Sequence, residues 1–249
     1  MCNQRLNPSS RDAAPTTIHP LSPSEVAQVG VYRDLLLAWN QRFNLTAITD
    51  PELVERRLFG DAWRMLPAID EVTAGEPARL IDVGTGAGFP GLAIKIARPA
   101  LEITLLEATA KKVTFLQQVI ETLGLSGVAA IHGRAEDLGH DLAHREQYDL
   151  ATARAVATLP ALIELCTPFL QVGGHAFFPK SEGLDQELQE GRRAAEPLGV
   201  RVLSADLVPV VEREQVTRLV IAAKLHQTPP QYPRRAGVPA REPLGRVLP

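Results

Sequence analysis

Cysteine is nearly absent: Cys2 and Cys166 are the only two in 249 residues. That scarcity excludes a disulfide framework and a cysteine-ligated zinc site, and it points to a reducing cytoplasm. No apolar run approaches the roughly 18 residues that a membrane span requires, and the polar opening "MCNQRLNPSSRDAAPTTIHP" has no secretory core. A cytoplasmic protein with no membrane attachment and no metal is therefore expected. Excess positive charge is lacking too, since 26 Lys and Arg face 29 Asp and Glu. Any nucleic-acid surface must then come from local clustering of cations. What remains, 45% hydrophobic and 22% charged, fits one large α/β domain with an appendage.

The first twenty residues, rich in Pro, Ser, Thr and Ala, are expected to be disordered. "SPSE" at Ser22–Glu25 places Pro23 at the first position of a helix running to about Phe43. "NLTAITDPE" breaks it, and Asp50 caps a second helix to about Leu66. Residues 21–75 thus read as a helical N-terminal extension. From Leu80 strands alternate with helical stretches to about residue 225: "RLIDVG", "EITLLEA", "VAAIHG", "YDLATARA", "GGHAFFPK", "VRVLSADLVPV" and "TRLVIAAKL". Helical spacers of 10 to 15 residues predict a doubly wound, Rossmann-like parallel sheet, and the short final connection predicts an antiparallel last pair of its seven strands. Residues 226–249 form a basic, Pro-rich tail.

"LIDVGTGAGFPGLAIKIA", at residues 80–97, sets four glycines directly after a buried strand. In doubly wound sheets ligands sit at the carboxyl ends of the strands, where glycine lets the backbone approach them. Two ligands fit the pattern. Gly86-x-Gly88-x-x-Gly91 matches a dinucleotide fingerprint, with pyrophosphate on the helix N-terminus. Asp82-x-Gly84-x-Gly86-x-Gly88 matches a loop for S-adenosylmethionine, whose cationic end suits the Asp82 carboxylate. Pro90 lacks the N–H that a pyrophosphate wants. Glu107, closing the second strand, can accept both ribose hydroxyls of either cofactor. Ala135, Glu136 and Asp137 stand at the tip of the third strand.

"LIDVGTGAGFPGLAIKIARP", "LLEATAKKVTFL", "GRAEDL", "DLATARAVATLP", "YPRRAGVPAREPL" and the upstream "WNQRFNLTAIT" together resemble the glucose-inhibited division protein B family over about Trp39 to Leu244. That resemblance implies an S-adenosyl-L-methionine-dependent methyltransferase acting on a guanine N7 of 16S ribosomal RNA, in the 530 loop of the small subunit. It implies cofactor contacts at Gly84, Phe89, Glu107, Ala108, Thr109, Ala135, Glu136 and Arg154. Leu58 in "RRLFGDAW" departs from the histidine that the family commonly carries there.

Guanine N7 has a free lone pair, so direct in-line transfer needs no general base and no covalent intermediate. Consistently, there is no Asn-Pro-Pro-Tyr/Phe run after the fourth strand and no Pro-Cys nucleophile, and Cys166 in "IELCTPF" reads as a core thiol. Arg154, past the fourth strand, is the candidate for steering the base. Arg134 and Lys180 are candidate phosphate contacts on the same rim. In the tail, Arg234, Arg235, Arg241 and Arg246 face Glu242 alone, and with Tyr232 they predict an extended RNA-binding strap. The expected partner is 16S rRNA or the small ribosomal subunit, and the expected state is a monomer. An NAD(P)-dependent oxidoreductase, a non-catalytic RNA-binding protein with a vestigial pocket, and a small-molecule methyltransferase are the rival readings.

Overall fold

The computed structural model describes residues 19–154, 157–180, 184–208 and 217–246. The first eighteen residues of the segment expected to be disordered lie outside that set. Helix α1 (Pro23–Phe43) begins where the sequence places it. Ser22 and Glu25 form a reciprocal capping box: the Glu25 N–H donates to Ser22 Oγ at 3.3 Å and the Ser22 N–H to Glu25 Oε2 at 2.7 Å. Val29, Tyr32, Leu36 and Asn40 recur on one face and are the residues it buries.

The second helix departs from the expected single element. Asp50 caps it through the Leu53 N–H at 2.8 Å, but only Pro51–Leu53 (α2) precede a π-helical stretch over Val54–Phe59, which passes into α3 (Gly60–Trp63). A further helix, α4 (Leu66–Thr73), completes the segment. The one-residue widening of a π turn rotates the side chains after it, and such turns gather at functional sites.

Seven strands follow: β1 (Arg79–Val83), β2 (Glu102–Glu107), β3 (Val128–His132), β4 (Tyr148–Thr152), β5 (Leu170–Lys180), β6 (Val200–Val208) and β7 (Thr217–Lys224). Their spatial order is β3-β2-β1-β4-β5-β7-β6. The first five are parallel, and β7 runs antiparallel between β5 and β6, as the short last connection predicts. Helices α5 (Gly91–Ala97), α6 (Ala110–Thr122), α7 (Ala135–Leu138), α8 (Leu159–Cys166), α9 (Asp185–Ala195) and α10 (Val238–Arg241) complete the chain.

The two-residue period of the strands divides the core between the faces. Leu80, Leu150, Phe177 and Leu219 join α1, the π turn, α5 and α6 on one side. Ile81, Ala151, Phe178 and Val220 join α8 and α9 on the other. Tyr32, Leu36 and Phe59 of the N-terminal segment belong to the same apolar cluster as the sheet, and the Trp63 Nε1–H donates to Ala93 O at 2.8 Å. The helical extension is therefore one wall of the main core. Strand order reverses between β1 and β4, and a crevice opens at that point.

Candidate cofactor and substrate cleft

At the carboxyl ends of β1, β2 and β4 lies a cleft of about 440 Å³. Its floor is the loop Gly84–Phe89, one side is Glu107, Ala108 and Lys112, and Arg154 stands opposite. The third side comes from the N-terminal segment: Leu45, Thr46 and Leu58. Sequence reasoning did not assign those three to the site. Asn40 places the first pair, because its Nδ2 donates to Thr46 O at 2.9 Å and its Oδ1 accepts from the Thr46 N–H at 2.8 Å. The usable signal is "WNQRFNLT", where an asparagine inside an apolar stripe must find backbone partners.

The glycines have separate reasons. Gly84, Gly86 and Gly88 hold φ of 67°, 62° and 92°, a region that other residues rarely enter. Gly91 has no such angle, but a Cβ there would lie 2.6 Å from Leu105 Cδ2 and 2.9 Å from Asp82 Oδ2. The Tyr32 hydroxyl reaches into this turn and donates to Ala87 O, and a Cβ at Gly88 would collide with it.

Asp82 does not stand in the cleft wall, where the sequence reading placed it. It is fully buried beneath the loop, and its Oδ2 accepts from Thr85 Oγ1 at 2.6 Å and the Gly91 N–H at 2.9 Å. Burial pushes its carboxyl up to about 6, against the lowering effect of those two hydrogen bonds and of nearby Arg154. Oδ1 has no partner among the described residues. Asp82 thus braces the loop from below.

Glu107 does face the cleft, at the tip of β2. Its Oε2 accepts from the Gly86 N–H at 3.0 Å and its Oε1 from the Thr109 N–H at 2.8 Å. Each oxygen keeps acceptor capacity after one such bond. Arg154 is half-buried, its Cζ lies 5.6 Å from the Phe89 ring centroid, and it makes no hydrogen bond or ion pair among the described residues. Phe89 itself stacks on Tyr32, with centroids 5.0 Å apart and planes 7° from parallel. Burial pushes the Arg154 guanidinium below its ordinary value, opposed by the charges of Asp61 and Asp82. A guanidinium with no acceptor among the described residues thus lines the cleft.

Other expected residues sit elsewhere. Ala135 and Glu136, at the start of α7, lie outside the cleft walls, and Glu136 Oε1 accepts from the Gly237 N–H at 2.8 Å. Lys180 is tied to Glu187 at 2.6 Å and to Ala157 O at 3.2 Å. Arg134 and Arg235 are exposed, with no side-chain partner among the described residues. Arg234 is not free for phosphate: its guanidinium is bidentate on Glu164, with Nη2 to Oε2 at 2.7 Å and Nε to Oε1 at 2.9 Å. The Glu164 side chain is wholly buried. The tail itself is packed down and includes the short helix α10, where an extended strap was expected.

The family model for GidB, rRNA small subunit methyltransferase G, matches residues 25–216. The chain belongs to this family. A ribosomal RNA small subunit methyltransferase G of Chloroflexus aggregans is 46% identical over 225 residues, covering 90% of this chain and 92% of its own length. The protein of that name in Moorella thermoacetica is 44% identical over 224 residues, again 90% and 92%. Among solved structures, a putative sarcosine dimethylglycine methyltransferase from Galdieria sulphuraria superposes with a TM-score of 0.52 at 12% identity, over 66% of this chain and 84% of the other. A variant of MtNAS in complex with S-adenosylmethionine gives 0.53 at 15% identity, over 81% and 76%. Those two likenesses establish the fold. No described helix is long and apolar enough to cross a membrane, and no group of three or more metal-ligating side chains occurs among the described residues.

Proposed function

We propose that this protein transfers a methyl group from S-adenosyl-L-methionine to N7 of a guanine in 16S rRNA, presented free or in the small subunit, in the cytoplasm. The observation that carries the reading is a single cleft holding both an anchored ribose acceptor, Glu107, and an unpaired arginine over an aromatic ring, Arg154 over Phe89.

The cleft fits this cofactor better than a dinucleotide. A pyrophosphate needs free N–H donors at the start of the helix. Here the Gly84 and Thr85 N–H groups donate to Leu106 O, those of Gly88 and Phe89 to Thr85 O, that of Gly86 to Glu107 and that of Gly91 to Asp82, while Pro90 has none. Glu107 and Asp82 also put two carboxyls close to the loop, which repels an anion. A nucleoside with ribose hydroxyls and a cationic sulfur meets neither obstacle. Glu107 would hold the ribose, the Gly84–Ala87 backbone would pack along the amino-acid end, and Ala108 would border the base. When bound, the cofactor supplies an electrophilic methyl group.

The remaining task is to orient the acceptor. Guanine N7 carries its lone pair at neutral pH, so no proton has to leave before attack. Arg154 can hold the base by donating to O6 or by stacking, which leaves N7 open along the line of transfer. Leu45, Leu58 and Phe89 exclude water from that line, and positioning of this kind accounts for most of the acceleration the site must provide. Mapping the methylated nucleotide after reaction with 16S rRNA and with small subunits tests the reading; a modified guanine N7 supports it, and no transfer to either substrate defeats it. Calorimetry with Glu107→Ala should show cofactor affinity reduced by about 1–3 kcal/mol. Heat on adding NADH, with none from the sulfonium compound, would favour an oxidoreductase.

A further inference from the structure

We infer that the rim joining the end of α1 to the start of α6 is a docking face for single-stranded RNA, on which Phe43 stacks an unpaired base next to the target guanine. This rests on the RNA substrate proposed above. Phe43 is the last residue of α1 and is 37% exposed, in a position where an apolar ring gains little from solvent. It is supported from within by Trp39, whose ring centroid is 5.3 Å away, and Trp39 in turn contacts Phe115 of the core at 5.5 Å. The result is a ring backed by aromatic packing and held at the surface. Its position is set by the chain: Asn44 turns left-handed at φ 47° and ends the helix, and Leu45 and Thr46 enter the cleft wall directly afterwards. One residue, Asn44, separates Phe43 from Leu45, so their backbones lie no more than about 7 Å apart, and a nucleotide adjacent to one in the cleft can meet the ring.

The electrostatics of the rim match the backbone of such a strand. Lys111 Nζ lies 5.5 Å from the Phe43 centroid, Lys112 lines the cleft, and Arg42 is exposed in the last turn of α1. None of the three has a side-chain ion pair among the described residues. Aromatic surface interleaved with unpaired cations suits nucleic acid, because stacking serves the base while lysine and arginine serve the phosphates. The strand must be single, since a duplex keeps its base faces stacked inside. An apolar protein partner would instead have to desolvate three uncompensated charges.

The test is anisotropy titration of labelled single-stranded 16S fragments containing the target, with the full chain saturated with S-adenosylhomocysteine. Phe43→Ala should weaken RNA binding roughly 5- to 150-fold, the span of one base stacked on an aromatic ring, and raise KM for RNA with kcat held. Phe43→Trp should restore it, and calorimetric affinity for the cofactor should stay at the wild-type value. Arg42→Ala with Lys111→Ala should make the salt dependence shallower by about 1.4, two phosphates at roughly 0.7 each. Wild-type affinity in Phe43→Ala, together with an unchanged slope in the double variant, overturns the inference while leaving methyl transfer intact. A wild-type protein that neither binds nor methylates the fragments defeats the underlying reading instead. Should Phe43→Ala lose cofactor binding through misfolding, the slope of the double variant decides.

Discussion

The two ends of the chain flank the same domain with similar-looking material, and the structure gives them opposite roles. Both carry arginines and an aromatic, and by charge count the C-terminal tail is the better RNA element. Yet one of the tail's four arginines and several of its carbonyls are turned inward, while Arg235, Arg241 and Arg246 stay exposed. Arg234 closes on buried Glu164, and Arg145 reaches the carbonyls of Gly139, Thr228, Pro229 and Tyr232 at 2.6 to 3.3 Å. His140 Nε2 meets Pro233 O at 2.8 Å, and Arg193 Nε donates to Gly245 O at 2.8 Å. At the other end, Arg42 has no ion pair among the described residues and faces Lys111 and Lys112 of α6 across the rim, while Leu45 and Leu58 line the cleft and Tyr32 holds its loop. A charge counted along the chain becomes a binding group only if no internal carboxylate claims it. Glu164 was the warning: a lone acid inside the apolar run "LPALIELC" must find a cation once that helix is buried.

Measurements can break this contrast, beginning with the largest effect. Glu164→Ala should lower unfolding stability by about 3 kcal/mol, near the low end for a broken buried pair because Arg234 keeps about a quarter of its side chain in solvent. Urea unfolding reads it, and the salt slope of RNA binding should not move; a changed slope with intact stability would return the tail to RNA recognition. Beneath the loop that Tyr32 of the opposite flank braces, the buried Asp82 carboxyl is raised from an ordinary 3.8 to about 6. Such a group contributes fully below pH about 4, and its contribution is lost as pH rises through 6, a loss of roughly 3 kcal/mol. Stability measured from pH 4 to 7 should fall in the wild type and run flatter in Asp82→Asn; parallel curves would discount the burial of that carboxyl.

A smaller effect tests whether the N-terminal flank governs the loop. Tyr32→Phe leaves Ala87 O without its donor, and should cost about 1 kcal/mol in stability together with a several-fold weaker cofactor affinity. Lost stability with unchanged cofactor binding would make α1 a scaffold only. Smallest of all is Arg235→Ala, since this exposed residue meets at most one phosphate. The RNA salt slope should change by no more than about 0.7, less than for Arg42 and Lys111 together.

Several features were legible from local chemistry. The helix start at Ser22–Glu25, the Asp50 cap, the strand at Leu80, and the antiparallel β6–β7 pair all follow from neighbours in sequence. Glu107 was legible because a strand-end acid in this fold faces the crevice. Asp82 was misread because the number of residues between an acid and its glycines does not say which side of the turn the carboxylate occupies. The π turn at Val54–Phe59 left no visible mark, since one extra residue in a helical turn changes the side-chain phase without changing composition.

By itself, then, the chain's order of residues determined the doubly wound sheet, the position of its ligand crevice and the glycine turn within it, because hydrophobic period, caps and backbone sterics act over a few residues. Only tertiary structure decided which charges remain free. Pairing of Arg234 with Glu164, seventy residues apart, and exposure of Arg42 and Lys111 depend on which surfaces packing brings together, and no local pattern encodes that.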